Sequence, residues 1–239
     1  MPNAEALVFD FNGTLFWDTE YNLRAWDFIS RKYRGKPYTK EEVLLLNGRN
    51  SLETCRYFLG EDCPARRLQE IIEEKEDRYR KLCTEAGKPR LAPGAEQLIE
   101  QAYSRNLPIA IATGAPLSNL ESYLKWFPSL SLFAGHILHD DGIRKGKPEP
   151  DIYLEAMRML ATRPEGTVVF EDSPPGVEAA NRAGITHIYV AASPSAELET
   201  TAHMPHVLGV LSDFRQFHLP TGKSYPMVNE AIKATSNSQ

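Results

Sequence analysis

Leu7-Val8-Phe9-Asp10-Phe11-Asn12-Gly13-Thr14-Leu15 is an apolar run that ends in an acid, with an amide two residues later and then a Gly-Thr pair. Residues 6–9 are apolar throughout rather than alternating, the pattern of a strand buried on both faces. Asp10 therefore stands at the carboxyl end of a strand, where open α/β sheets place their binding crevice. Gly13 allows a sharp turn, and Thr14 can hydrogen-bond within it. Taken alone, the stretch fits a strand followed by an ordinary Asx-turn equally well. The rest of the chain decides between the two.

From residue 18 to about residue 87 the sequence is helical in pattern and rich in charge. Asp18 or Thr19 can cap a helix reaching about residue 33, with Gly35 and Pro37 breaking it. Thr39-Lys40-Glu41-Glu42 has the form of a capping box opening a second, short helix. A third helix begins at Ser51 and ends near Gly60, and a long fourth one runs from Pro64 to residue 85 or 86. From Pro93 onward strands alternate with helices. Strands are expected at 108–113, 136–138, 167–170 and 185–191, with a short last one at 207–208. Helices are expected at 94–105, 116–126, 150–161 and 174–183. Such alternation predicts a parallel sheet with helices on both faces. The expected fold is α/β, a Rossmann-like doubly wound core (1–17 and 88–239) with an inserted all-helical subdomain (18–87). The tail after Leu219 reads as a peripheral appendage.

Bulk properties exclude several classes. The 239 residues carry a net charge of −5 and no Lys/Arg cluster of the kind a nucleic-acid binder needs. The mixed-sign run 70–81 reads as a solvated helix face. No stretch reaches membrane-spanning length, and the N-terminus lacks the form of a signal peptide. The odd cysteine count (Cys55, Cys63, Cys83) matches no zinc motif and fits free thiols in a reducing cytoplasm. A cytoplasmic monomer or weak dimer is the expectation.

The chemistry lies at the carboxyl end of each strand and in the loop beyond it. The first strand leads to Asp10 and Asn12, and the second to Thr113-Gly114. The third is followed by Gly146-Lys147-Pro148, and the fourth by Glu171-Asp172-Ser173. In a parallel sheet these four segments share one edge. A carboxylate, a hydroxyl near free N–H groups, an ammonium and an acid pair suit phosphoryl transfer. The carboxylate can act as nucleophile, Mg²⁺ as the hard, oxygen-seeking ion, and the lysine and hydroxyl can hold the transferring oxygens.

Four ordered motifs resemble the haloacid dehalogenase superfamily of phosphatases and phosphomutases. They are Phe9-Asp10-Phe11-Asn12-Gly13-Thr14-Leu15, Thr113-Gly114, Gly146-Lys147-Pro148-x-Pro150-Asp151, and Glu171-Asp172-Ser173 with Gly176-Val177, Ala179-Ala180 and Ala183-Gly184 behind it. The likeness is greatest to β-phosphoglucomutase and related sugar-phosphate phosphatases, supported by Glu20-Tyr21, Arg24-Ala25-Trp26 and the loop Asn47-Gly48-Arg49-Asn50. The resemblance implies that Asp10 is nucleophile and metal ligand, and that Asn12 lends its backbone carbonyl to Mg²⁺. It implies that Asp172 is a direct ligand, with Glu171 binding directly or through water. It also implies that Thr113, Gly114 and Lys147 bind the phosphoryl group of a small phosphorylated substrate, that Arg49 faces the site, and that residues 18–87 form a cap.

Two positions depart from the pattern. The phosphatases of the family usually carry Asp, the acid/base, where this chain has Asn12, and an amide transfers no proton at neutral pH. Another acid can substitute, Asp18 and Glu20 being near in sequence. Alternatively, turnover is slow or confined to good leaving groups, or Asn12 is an introduced residue that traps a complex. Asn22 stands where the mutase has His. The expected function is a Mg²⁺-dependent phosphomonoester hydrolase. A non-catalytic phosphometabolite-binding protein and a β-phosphoglucomutase-type mutase are the alternatives.

Overall fold

Six parallel strands form one sheet in the computed structural model: β1 (Ala6–Phe9), β2 (Ile109–Pro116), β3 (Ile137–Asp140), β4 (Thr167–Glu171), β5 (Ile188–Ala191) and β6 (Val207–Leu211). Their order is β3-β2-β1-β4-β5-β6. The structure describes residues 4–46, 48–191, 193 and 199–219. Asn47 and the tail expected after Leu219 lie outside the described residues. The chain steps outward from β1 in one direction, then returns to its other side at β4. The ends of β1, β2 and β4 therefore flank the point where strand order reverses, the place for a crevice.

Four helices fall between β1 and β2 before the core resumes: α1 (Thr19–Arg34), α2 (Lys40–Leu46), α3 (Ser51–Leu59) and α4 (Ala65–Glu85). They bury a cluster of their own, Trp26, Ile29, Cys55, Leu68, Ile71 and Ile72. The capping box forms in full. The Glu42 N–H donates to Thr39 Oγ1 (3.3 Å), and the Thr39 N–H donates to Glu42 Oε2 (3.0 Å). Helix α3 begins at Ser51 as expected and is capped by Asn50, which accepts from the Glu53 N–H at 2.9 Å.

The central strands β1, β2 and β4 carry apolar runs because both faces are covered. Leu7, Phe9, Ile109, Ile111, Val168 and Phe170 point into one buried cluster. Ala6, Val8, Ala110, Ala112, Val169, Ile188 and Val190 point into the other. Phe9 and Phe170, register partners on adjacent strands, stack with ring centroids 4.8 Å apart. The predicted core helices are present as α5 (Ala95–Ser104), α6 (Leu117–Trp126), α7 (Asp151–Met159) and α8 (Pro174–Arg182). The strand expected at 185–191 begins only at Ile188. Gly184 takes a left-handed turn, and the Ile185 N–H bonds back to the Ala180 carbonyl, so residues after α8 first close the helix end. A 3₁₀ turn (Pro128–Phe133) and a short helix (Glu199–Ala202) add to the expected elements. No described helix is long and apolar enough to cross a membrane, and all three cysteines are free.

The loop between α2 and α3 sits directly on the edge of the sheet. A Cβ on Gly48 would fall 2.3 Å from Ser173 Oγ. A Cβ on Gly146 would fall 2.7 Å from Glu53 Oε1 and 2.9 Å from Asn50 Nδ2. Glycine at these positions lets the helical insertion close onto the strand ends.

Candidate active site

Lys147 organises the buried floor of the crevice. Its ammonium donates to Asp10 Oδ1 (2.6 Å), Glu171 Oε1 (2.5 Å) and the Ala112 carbonyl (3.2 Å), so all three N–H bonds are used. Burial works against its charge, but Asp10 and Glu171 outweigh that and hold it above the ordinary lysine range. Burial would also lift Glu171, yet Lys147 overrides it and keeps the carboxyl below its usual value.

Glu171 is fully engaged by the protein. Tyr153 donates to Oε1 at 2.7 Å. Oε2 accepts the backbone N–H groups of Asp172 (3.0 Å) and Ser173 (3.2 Å) and the Ser173 hydroxyl (3.1 Å). The last two come from the N-cap of α8, where an anion is favoured. Gly176 makes the room, since a Cβ there would lie 1.9 Å from Glu171 Oε1.

Asp10 and Asp172 are held less completely. Asp10 Oδ2 is buried with no hydrogen-bond partner among the described residues. Burial lifts Asp10 to about 7 against the pull of Lys147, with Glu171 and Asp18 adding to the rise. Asp172 receives a long bond from Thr14 Oγ1 (3.3 Å), so Thr14 reaches across the site rather than bonding within its own turn as expected. Burial, followed by the charges of Asp10 and Glu171, raises Asp172 well above the carboxylate range.

Oxygens of Asp10, Glu171 and Asp172 lie within 4.8 Å of one another. The buried Asp10 and Glu171 and the half-buried Asp172 face one ammonium, and Asp10 Oδ2 receives no donor from the described residues. This all-oxygen donor set with surplus negative charge fits a hard divalent cation such as Mg²⁺. Asp10 and Asp172 have the free oxygens for direct ligation, whereas Glu171 is already satisfied and suits an outer, orienting place.

Asn12 faces away from this floor. Its amide nitrogen lies 2.6 Å from Asp18 Oδ2, 2.8 Å from Tyr123 Oη and 3.1 Å from Tyr79 Oη, three acceptors sharing two N–H bonds, and its side-chain carbonyl accepts from Thr113 Oγ1 (3.1 Å). Asp18 occupies the first position before α1 but does not cap it. Its carboxylate turns back to accept the Gly13 N–H at 2.8 Å and the Tyr79 hydroxyl. Burial raises Asp18 in spite of these bonds. Glu20 points to solvent, paired with Arg24 at 3.7 Å.

Above the floor is a cavity of about 60 Å³. Asp10, Asn12, Thr113, Gly114, Asp172 and Arg49 all line it, as do Lys75 and Glu76 of α4. The strand-end residues expected from the sequence are thus brought together, with Lys147 and Glu171 beneath. Arg49 is half-buried, bonded to the Leu45 carbonyl (3.1 Å) and 3.6 Å from Glu53. His139 bonds a neighbouring backbone carbonyl and Glu178 pairs with Arg182 on the surface, neither in the site.

Residues 7–190 match the family model described as haloacid dehalogenase-like hydrolase. The chain belongs to this family. A phosphorylated carbohydrates phosphatase from Thermotoga maritima is 31% identical over 189 residues, covering 77% of this chain and 84% of that one. A probable pseudouridine-5'-phosphatase from Drosophila melanogaster is 32% identical over 222 residues, covering 89% and 93%. The crystal structure of a family IA, variant 3 hydrolase from Entamoeba histolytica superposes with a TM-score of 0.77 at 29% identity, covering 95% and 99%.

Within this hydrolase the sequence reading missed the inward side of α4. Residues 70–81 are not wholly a solvated face. Lys75 and Glu76 are 4% and 2% exposed. Glu76 accepts from Lys75 (3.1 Å), Ser51 (2.6 Å) and Asn119 (2.7 Å), tying α4 to α3 and to α6 of the core. The sequence does carry a signal for this: Leu68, Ile71, Ile72, Tyr79, Leu82 and Cys83 form an apolar stripe at helical spacing, and Lys75-Glu76 interrupts it.

Proposed function

We propose that the protein is a Mg²⁺-dependent phosphomonoester hydrolase for small phosphorylated metabolites, sugar phosphates among them, that works through a phosphoryl group carried on Asp10. The observation that carries this reading is Asp10 itself. One of its oxygens is fixed by Lys147, and the other is buried at the cavity without a partner among the described residues. A carboxylate held this way is oriented for attack and poorly solvated, which favours nucleophilic reaction. Magnesium, held by Asp10, Asp172 and the backbone carbonyl of Asn12, would offset the repulsion between an anionic nucleophile and an anionic phosphate.

The chain's own groups do the rest. Lys147 holds Asp10 in place and balances charge on the floor of the site. Thr113 and Gly114, in the carboxyl-terminal half of β2, border the cavity where the phosphoryl oxygens would lie. Glu171 keeps Lys147 charged and stationary. Helices α1–α4 act as a cap. With the Gly48–Asn50 loop seated on the strand ends, the cap excludes bulk water during transfer, and Arg49 on that loop meets the remainder of the substrate.

Phosphate release from a panel of phosphomonoesters, measured with Mg²⁺ and over hours so that slow turnover is seen, tests the reading. Release is expected from the wild type and none above background from Asp10→Ala. Equal release by both proteins would remove Asp10 from the role.

A further inference from the structure

We propose that this site is built for phosphoryl donors whose leaving group departs as a stable anion without a proton, the acyl phosphates. The inference rests on the hydrolase reading and goes beyond it to the substrate class. Its basis is the direction of the hydrogen bonds around Asn12, on the floor beneath it and on the α4 side of the cavity. Asn12, next but one to Asp10, presents an amide, which has no proton to give or take at neutral pH. The other polar groups beside Asn12 are committed in a single direction. Thr113 donates to Asn12 Oδ1, Tyr123 donates to Tyr79, and Tyr79 donates to Asp18. Asp18 accepts on both oxygens, from Gly13 on one and from Asn12 and Tyr79 on the other, so it stands as an acceptor turned inward. On the floor, the three N–H bonds of Lys147 go to Asp10, Glu171 and Ala112. On the α4 side, the Ser51 hydroxyl is spent on Glu76, which is also paired with Lys75. No carboxylic acid or hydroxyl among these residues presents a free proton to a departing oxygen.

An alkyl ester needs such a proton, because an alkoxide is a poor leaving group. An acyl phosphate does not. In the first step a carboxylate oxygen of Asp10 forms a new bond to phosphorus, and the bond from phosphorus to the acyl oxygen breaks. The electron pair leaves with the carboxylate, and no proton moves. In the second step a water oxygen bonds to phosphorus, the bond from phosphorus to Asp10 breaks, and the carboxylate re-forms. The water's proton ends on the released phosphate. Asn12 cannot take that proton as the bond forms, so the second step is the slower one and the phosphoryl group accumulates on Asp10.

The test uses the full-length protein with Mg²⁺ and three donors: acetyl phosphate, p-nitrophenyl phosphate and glycerol 3-phosphate. Expected is a steep dependence on the leaving group, with kcat/KM for acetyl phosphate exceeding that for glycerol 3-phosphate by at least about 10²-fold, the scale of a missing general acid. Intact mass spectrometry after acetyl phosphate should show a hydroxylamine-labile phosphate adduct that Asp10→Ala lacks. Asn12→Asp should raise glycerol 3-phosphate turnover by about 10²–10⁴-fold and shorten the life of the adduct. That change sets a second acid against buried Asp18, so Asn12→Asp with Asp18→Asn, which keeps one amide and one carboxylate in contact, is the companion variant. Comparable kcat/KM for all three donors in an Asp10-dependent reaction would overturn the inference and leave the hydrolase reading standing. No Asp10-dependent release from any donor, with no adduct, would overturn both.

Discussion

Gly48 lies against Ser173 so closely that a single added methyl would fall 2.3 Å from the serine hydroxyl oxygen. The contact joins the helical insertion to the N-terminus of α8, directly beside Glu171 and Asp172. Gly48 also has φ = 86°, a backbone conformation that costs an L-residue about 1–2 kcal/mol. Gly48→Ala is expected to lift the α2–α3 loop from the sheet edge rather than unfold the protein. Amide hydrogen exchange at Gly114 and Ser173 should speed up about tenfold or more, one factor of ten for each 1.4 kcal/mol. Unchanged exchange at both would mean that this contact does not hold the insertion down.

Lys147 should matter to folding as well as to chemistry. Replacing it with Met leaves Asp10 and Glu171 as buried carboxylates without their cation. Breaking a buried pair in this way costs about 3–5 kcal/mol. Urea unfolding of Lys147→Met without added metal should show a loss of that order. A loss below about 1 kcal/mol would indicate that Tyr153 and the α8 N–H groups suffice to hold Glu171 and that Lys147 is not structural.

Much of this candidate site is readable from the sequence because the runs 6–9, 109–112 and 168–170 are apolar and each stops abruptly at a polar residue, as at Phe9–Asp10 and Phe170–Glu171. A parallel sheet then collects those stops along one edge whatever the loops do. The network around Asn12 is not readable in the same way. Tyr79 and Tyr123 come from α4 and α6, far from Asn12 in sequence, and no local rule specifies how an inserted helix bundle settles on a sheet. Asp18 misleads for a related reason. At the start of a helix an aspartate normally serves the helix, but here the tight turn at 11–16 presents the Gly13 N–H first. Lys75 and Glu76 are hidden by their charge, since an ion pair satisfied by Ser51 and Asn119 can be buried where either residue alone could not.

Magnesium should stabilise the folded protein measurably. A ligand that binds only the native state adds about 2.7 kcal/mol at a concentration 100 times its Kd. Thermal unfolding should therefore move upward with Mg²⁺ in the wild type and stay fixed in Asp172→Asn, whose amide cannot replace an anionic ligand. An equal shift in both proteins would place the ion away from Asp10 and Asp172.

The pair Arg34–Glu42 gives a prediction for pH. The Arg34 guanidinium, at the end of α1, lies 2.5 Å from Glu42 Oε1 and 4.3 Å from the Phe58 ring centre, so it pins α2 and α3 to α1. Burial would lift Glu42, but the Arg34 and Thr39 donors outweigh it and hold the carboxyl below its ordinary value of 4.5. A depressed folded-state value means that the folded protein keeps Glu42 ionised where the unfolded chain has begun to protonate it. The stability from Glu42 is thus fully present above pH 4.5 and falls as the pH drops through the folded-state value. Glu42→Gln keeps a capping acceptor but loses the charge, at a cost of about 1.5–3 kcal/mol for a charge-assisted bond. Urea midpoints of wild type and variant should differ by a constant amount from pH 7 down to about pH 5, then converge in more acid solution. A gap that persists unchanged at pH 3 would show that the loss comes from packing rather than from the Glu42 charge.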